Sequence, residues 1–182
     1  MQTALILIDI QNEYFPGGWL ALYEPERAAE NAGRLLEEYR SRRLPVFHIR
    51  HINDRENATY FVPGTHGADI HARVAPLPDE PVIVKHRPNS FFRTDLQQRL
   101  SEAGVEHLVI CGMMSHMCID TTVRAAGDLG YAVTVAQDAC ATRELCMNGR
   151  VIPAPTVHDA FMAALHGTFA DVRNGRDIII SL

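Results

Sequence analysis

The sequence predicts an α/β protein, a doubly wound parallel sheet covered by helices on both faces in a three-layer sandwich. Two observations carry this. Short apolar runs of strand type recur along the chain, at TALILIDIQ, VFHIRHI, VIVKH, LVIC and YAVTVA, and they are nearly continuous in apolar residues. Strands buried on both faces read that way, whereas half-exposed strands alternate. Stretches with helical spacing lie between the runs, and no repeat, low-complexity tract or linker interrupts the alternation. That pattern predicts a single domain over residues 1–182, with right-handed crossovers.

Composition agrees. A chain of 182 residues with 47% apolar and 21% charged residues can bury a sizeable core. The net charge of −5 comes with no basic cluster, so neither nucleic acid nor an anionic membrane is an expected partner. No apolar run approaches the roughly 20 residues that span a bilayer. The cysteines at 111, 118, 140 and 146 have no CxxC and no disulfide-framework spacing. The chain enters its first strand at Thr3 without a secretory-signal pattern. A reducing cytoplasm is the expected location.

The elements follow in order. Thr3 to Ile10 is the first strand, broken near its end by Asp9. A buried carboxylate there is costly unless paired, so Asp9 either caps the next loop or faces a site at the strand's carboxyl edge. Residues 11–24 are an aromatic-rich loop broken at Pro16, Gly17 and Gly18. Pro25 opens a helix to about Arg43, with Ala28, Ala32, Leu35, Leu36 and Tyr39 on its apolar face. Pro45 starts the second strand, and a polar loop spans Asn53 to Pro81. The histidines at 48, 51, 66 and 71, with Asp54 and Asp69 nearby, fit no tight metal-ligand template, so no metal is expected. Residues 82–86 form a third strand carrying Lys85 near its end, followed by a helix from Thr94, its expected N-cap, to Gly104.

The stretch Leu108 to Gly130 organises the rest. An apolar strand, Leu108 to Cys111, breaks at Gly112 and gives way to a helix marked by Ile119, Val123, Ala126 and Leu129. Cys118 falls in the first helical turn, where the helix dipole and free N–H groups favour a thiolate. A fifth strand ends near Ala136, residues 137–155 form a loop, and a helix runs from Thr156 to Leu165. A short strand around Phe169 to Val172 closes the sheet, with another expected at 178–181.

Asp9, Lys85 and Cys118 each end or follow an apolar strand, which places all three along one carboxyl edge, where open α/β sheets bind ligands. An acid, a cation and a thiol are the set needed to make and use a thiolate.

The chain resembles the isochorismatase-like cysteine hydrolases over almost its whole length. The matching pieces are LILIDIQNEY, VIVKHRPNSFFRTDLQQRL, VICGMMSHMCIDTTVRAAGDLGY and VAQDACAT. The resemblance implies a Rossmann-like six-stranded parallel sheet of order 3-2-1-4-5-6 and a homodimer or higher homo-oligomer. It also implies a catalytic triad of Asp9, Lys85 and Cys118 and a cis peptide at Met113–Met114. The backbone N–H groups of Met114 and Cys118 would then face a developing oxyanion. Ser115 offers the competing arrangement, an N-cap that binds the Cys118 amide.

The expected reaction is hydrolysis of an amide, ureide or carbamoyl C–N bond of a small molecule through a thioester, without a cofactor. Tyr14, Phe15, Phe91, Phe92 and His116 are the expected substrate contacts. Nicotinamidases of this superfamily hold a metal with Asp-x-His and a further His. Here the stretch reads His48-Ile49-Arg50-His51-Ile52-Asn53-Asp54, which implies neither zinc nor nicotinamide. Isochorismatases cleave a vinyl ether without a nucleophilic cysteine, and this is one alternative. A silent binding module and a Cys111–Cys118 redox pair are the others.

Overall fold

The computed structural model describes residues 2–182. Its main sheet is built from β1 (Gln2–Ile8), β2 (Val46–His51), β3 (Val82–Lys85), β4 (Val105–Met113), β5 (Ala132–Ala141) and β8 (Asp171–Arg173). They are parallel, in the order β3-β2-β1-β4-β5-β8. This is the expected topology. The sixth strand carries a later number only because a small antiparallel hairpin, β6 (Leu145–Met147) and β7 (Arg150–Ile152), precedes it. The helices are α1 (Pro25–Ser41), α2 (Leu96–Glu102), α3 (Asp120–Asp128), α4 (Ala154–Leu165) and α5 (Gly175–Ser181). Helix α1 packs with α5, and α3 packs with α4. Strand order reverses direction at β1 and β4, and right-handed crossovers then send successive helices to opposite faces. One continuous apolar cluster, from Ala4 in β1 to Ile178 in α5, fills the space between sheet and helices.

The central strands are longer than their apolar runs. β4 passes through Gly112 rather than breaking there, and the irregularity is confined to its pairing with β5 between Ile110 and Gly112. Gly112 has φ +131°, and a Cβ on it would lie 2.0 Å from the Ile8 carbonyl oxygen, so only glycine lets β4 approach β1 this closely. β5 likewise continues past Ala136 to Ala141, since Cys140 and Ala141 pair with Gly112 and Met113.

Three further boundaries differ. The strand expected at 178–181 is the helix α5: Asn174 precedes it, and the Gly175 N–H donates to Asp138 Oδ1 at 2.6 Å. Docking of Ile178 in the core outweighs the strand preference of the isoleucine run. α4 starts at Ala154, with Pro155 in its first turn where a missing N–H costs nothing, so Thr156 is not a cap. α2 starts at Leu96 behind Asp95, while the Thr94 hydroxyl donates to the Ser90 carbonyl at 2.6 Å. The expected 137–155 loop also contains the hairpin, which turns on Asn148-Gly149, both at positive φ. No helix among the described residues is long and apolar enough to cross a membrane.

Candidate active site

Asp9 is the first residue beyond β1 and takes φ +52°, a left-handed conformation that aspartate tolerates better than most residues. Its N–H donates to the Ile49 carbonyl at 3.0 Å, fixing it against β2. Lys85 is the last residue of β3. Cys118 sits in a single π turn, Ser115–Ile119, between β4 and α3. Three strand ends thus bring these side chains together. Lys85 Nζ lies 2.7 Å from Asp9 Oδ2, and both side chains are 0% exposed. The same ammonium donates to Cys118 Sγ at 3.2 Å and to the Arg87 carbonyl at 3.1 Å.

The electrostatics run opposite to a preformed thiolate. Burial, followed by the Asp9 carboxylate, pushes the Cys118 thiol up, and the opposing pull of Lys85 does not compensate. Burial works against the Lys85 charge, yet Asp9 and Cys118 raise its pKa overall. The resting cluster is therefore carboxylate, ammonium and thiol, which corrects the expectation of a resting thiolate. Asp9 and Lys85 meet at ion-pair distance, but neither carboxylate oxygen receives a well-directed hydrogen bond among the described residues. A desolvated carboxylate without such donors has unspent capacity to accept a proton.

The Met113–Met114 peptide bond is cis, and the Met114 carbonyl accepts from Met117 N and Ile119 N at 3.0 and 3.2 Å. Ser115 does not cap the Cys118 amide. It is fully buried, its hydroxyl lies 2.8 Å from His158 Nδ1, and it also reaches the Ala141 carbonyl at 3.3 Å.

A cavity of about 320 Å³ opens over Cys118. Tyr14 lines it, as expected, and burial pushes its phenol well above the ordinary value. The other expected substrate contacts lie elsewhere. Phe15 stacks on His71 at 3.9 Å and faces the neighbouring cleft. Phe91 stacks on Tyr131, and Phe92 lies under Arg93 with 47% of its surface exposed. His116 turns away to Thr142, its Nδ1 2.5 Å from the hydroxyl oxygen. These four are drawn aside because each finds a local stacking or hydrogen-bonding partner.

Instead, His51, Tyr60, Phe61 and Met117 complete the wall, with Arg55, Arg87 and Arg143 around it. His51 is held neutral, its pKa pushed down by burial to about 4, and its Nδ1 is buried without a hydrogen bond among the described residues. Gln11 anchors it through both backbone groups, accepting from His51 N at 2.8 Å and donating to its carbonyl at 2.9 Å. Glu13, also buried, ties the two wall loops together: its carboxylate accepts from Trp19 N at 2.7 Å and Phe61 N at 3.2 Å. A readable sign of Arg143 was its place directly after the VAQDACAT segment. Tyr60 and Phe61 carried no such sign, because they enter through the long loop.

The four loop-region histidines are dispersed rather than gathered. His48 pairs with Glu80 at 2.9 Å, His51 lines the cavity, His66 lies near Asn12, and His71 stacks on Phe15. Among the described residues, no group of three or more His, Cys, Asp or Glu side chains is placed to hold a metal ion. All four cysteines are free.

The isochorismatase domain family model matches residues 3–177. Over 173 residues the chain is 56% identical to the isochorismatase family protein YddQ of Bacillus subtilis, covering 95% of this chain and 96% of that one. It is 32% identical over 177 residues to streptothricin hydrolase of Streptomyces noursei, covering 97% of this chain and 67% of that protein. Among solved structures, one from Oleispira antarctica described as an isochorismatase hydrolase is 47% identical, with a TM-score of 0.95 over 98% of this chain and 96% of that one.

Proposed function

This chain belongs to the isochorismatase family of hydrolases, and from that premise we propose that it cleaves a C–N bond of a small molecule by nucleophilic catalysis at Cys118. The supporting observation is the buried contact of Asp9, Lys85 and Cys118, at 2.7 and 3.2 Å, beneath a cavity that reaches the sulfur. An isochorismatase acting on a vinyl ether needs no thiol there. The similarity to a streptothricin hydrolase is consistent with hydrolytic chemistry in this family.

In the mechanism, the thiol proton passes to Asp9 as the sulfur attacks the substrate carbonyl carbon. General-base removal in concert with attack suits a thiol held protonated at rest. Lys85 supplies the positive charge that the sulfur loses with its proton, through the Nζ–Sγ contact already in place. The N–H groups of Met114 and Cys118 receive the carbonyl oxygen as it becomes negative. Asp9 then protonates the departing nitrogen, the C–N bond breaks, and ammonia or an amine leaves a thioester. A water gives its proton to Asp9 and attacks the thioester carbon. The acid leaves, and the proton returns to the sulfur.

The test is ammonia release across small primary amides, ureides and carbamoyl compounds, with Cys118→Ala as blank. Turnover by the wild type that vanishes in Cys118→Ala supports the reading. A Cys118→Ala protein that keeps full turnover refutes the nucleophile.

A further inference from the structure

We infer that the substrate of this site carries a carboxylate and that Arg143 receives it at the cavity rim. As to the bond cleaved, this rests on the hydrolase reading above; the anion site itself does not.

The chain as a whole is acidic, with a net charge of −5. The cavity over Cys118 is not. Its lining includes Arg55, Arg87, Arg143, His51 and His86, and it contains no aspartate or glutamate. The carboxylate beneath it, Asp9, is already paired with Lys85. Arg87 is engaged, donating to Asp54 Oδ1 at 3.2 Å and to the His86 carbonyl at 2.6 Å. The guanidinium groups of Arg55 and Arg143 make no ion pair among the described residues. Local charge therefore opposes overall charge at the one opening that leads to the thiol. Such an arrangement draws in anions and disfavours cations, whatever the sign of the molecule as a whole.

Arg143 is the better placed of the two. It follows Thr142, which is buried, hydrogen-bonded through its hydroxyl to His116, and bonded through its carbonyl to Tyr23 N at 3.0 Å. A side chain leaving a fixed backbone loses less on binding than one on a mobile loop. Its charge also reaches the cavity floor, where it lowers the Tyr14 phenol against the larger opposing effect of burial. The guanidinium fork matches a carboxylate with two parallel hydrogen bonds, which a point charge does not.

The cavity volume of about 320 Å³ lies at the small end of ligand pockets. Tyr14, Leu20, Phe61 and Met114 supply apolar or aromatic wall between sulfur and rim. The substrate class is thus a short amide or carbamoyl compound with its carbonyl over Cys118 Sγ and its carboxylate at Arg143.

The test titrates Cys118→Ala protein by calorimetry with succinamate against methyl succinamate, and with N-carbamoylglycine against its methyl ester. The anionic member of a pair is expected to bind about tenfold or more tightly. That preference is expected to collapse when Arg143→Met is added. Equal binding, tighter binding of the ester, no detectable binding by either member, or a preference that survives loss of Arg143 overturns the anion site. Ammonia release is then measured with the wild type on the same compounds. Arg143-dependent binding without ammonia release would leave the anion site standing and overturn the C–N reading instead.

Discussion

Lys85 and Asp9 form an ion pair of 2.7 Å with neither side chain in contact with solvent. The attraction offsets a large desolvation cost, so the pair holds only while both members are present. Lys85→Met leaves a buried carboxylate uncompensated and is expected to cost about 3–5 kcal/mol in urea unfolding. The Asp9→Asn, Lys85→Met double variant is expected to recover part of that loss. Because the folded state raises the Lys85 pKa, its contribution is complete below the ordinary lysine value and disappears as pH climbs through the raised one. The wild type and the Lys85→Met protein should therefore converge in stability only in strong alkali. Equal stability at pH 7 would contradict the pairing.

Gly112 carries a separate constraint on the same sheet. Gly112→Ala puts a methyl 2.0 Å from the Ile8 carbonyl oxygen at φ +131°, where both sterics and backbone conformation oppose it. The expected loss is about 2–6 kcal/mol. Because the strand leads directly to Met114 and the nucleophile turn, turnover should fall at temperatures where the variant is still folded. Circular dichroism melting with activity at 20 °C below the midpoint reads both effects.

Acid should erode stability in two stages. The imidazoles of His48 and His51 are both depressed by burial, that of His51 to about 4. A depressed group stabilises above its unfolded value and loses that contribution as pH falls, so the histidine stage begins near their ordinary value of 6.5. Glu80 supplies the second stage. Burial works against its charge, but hydrogen bonds from Arg40, Leu77 N and His48 hold its carboxyl down to about 2. Melting temperature measured from pH 7 to 2 should flatten below pH 4.5 in Glu80→Gln and above it in His51→Gln. Unchanged acid limbs would show that these groups do not govern acid stability.

The three reacting side chains were legible because each is a polar residue ending an apolar run, and parallel strands align such ends on one edge. The extents of β4 and β5 were not, because glycine and polar residues there pair within the sheet as well as valine does. The hairpin was readable in Asn148-Gly149, a strong two-residue turn signal, but its strands are only three residues each. The helix α5 was hidden by the β-branched run Ile178, Ile179 and Ile180, whose local preference lost to docking against α1. Most of the cavity wall was hidden for a different reason. Aromatic residues near a catalytic residue in the chain found partners outside the cavity, while Tyr60 and Phe61 reached it from the long loop.

Glu13 joins the strip after β1 to the strip before β3, since one carboxylate holds the main chain at both Trp19 and Phe61. Gly67 sits so close that a methyl on it would come 2.2 Å from the same carboxylate, locking a third point of the circuit. The two flanks of the binding chamber therefore form one mechanical part. Refashioning the chamber for a bulkier guest by altering only one flank would tear this clasp, so a change of diet in this lineage has to rewrite both flanks together.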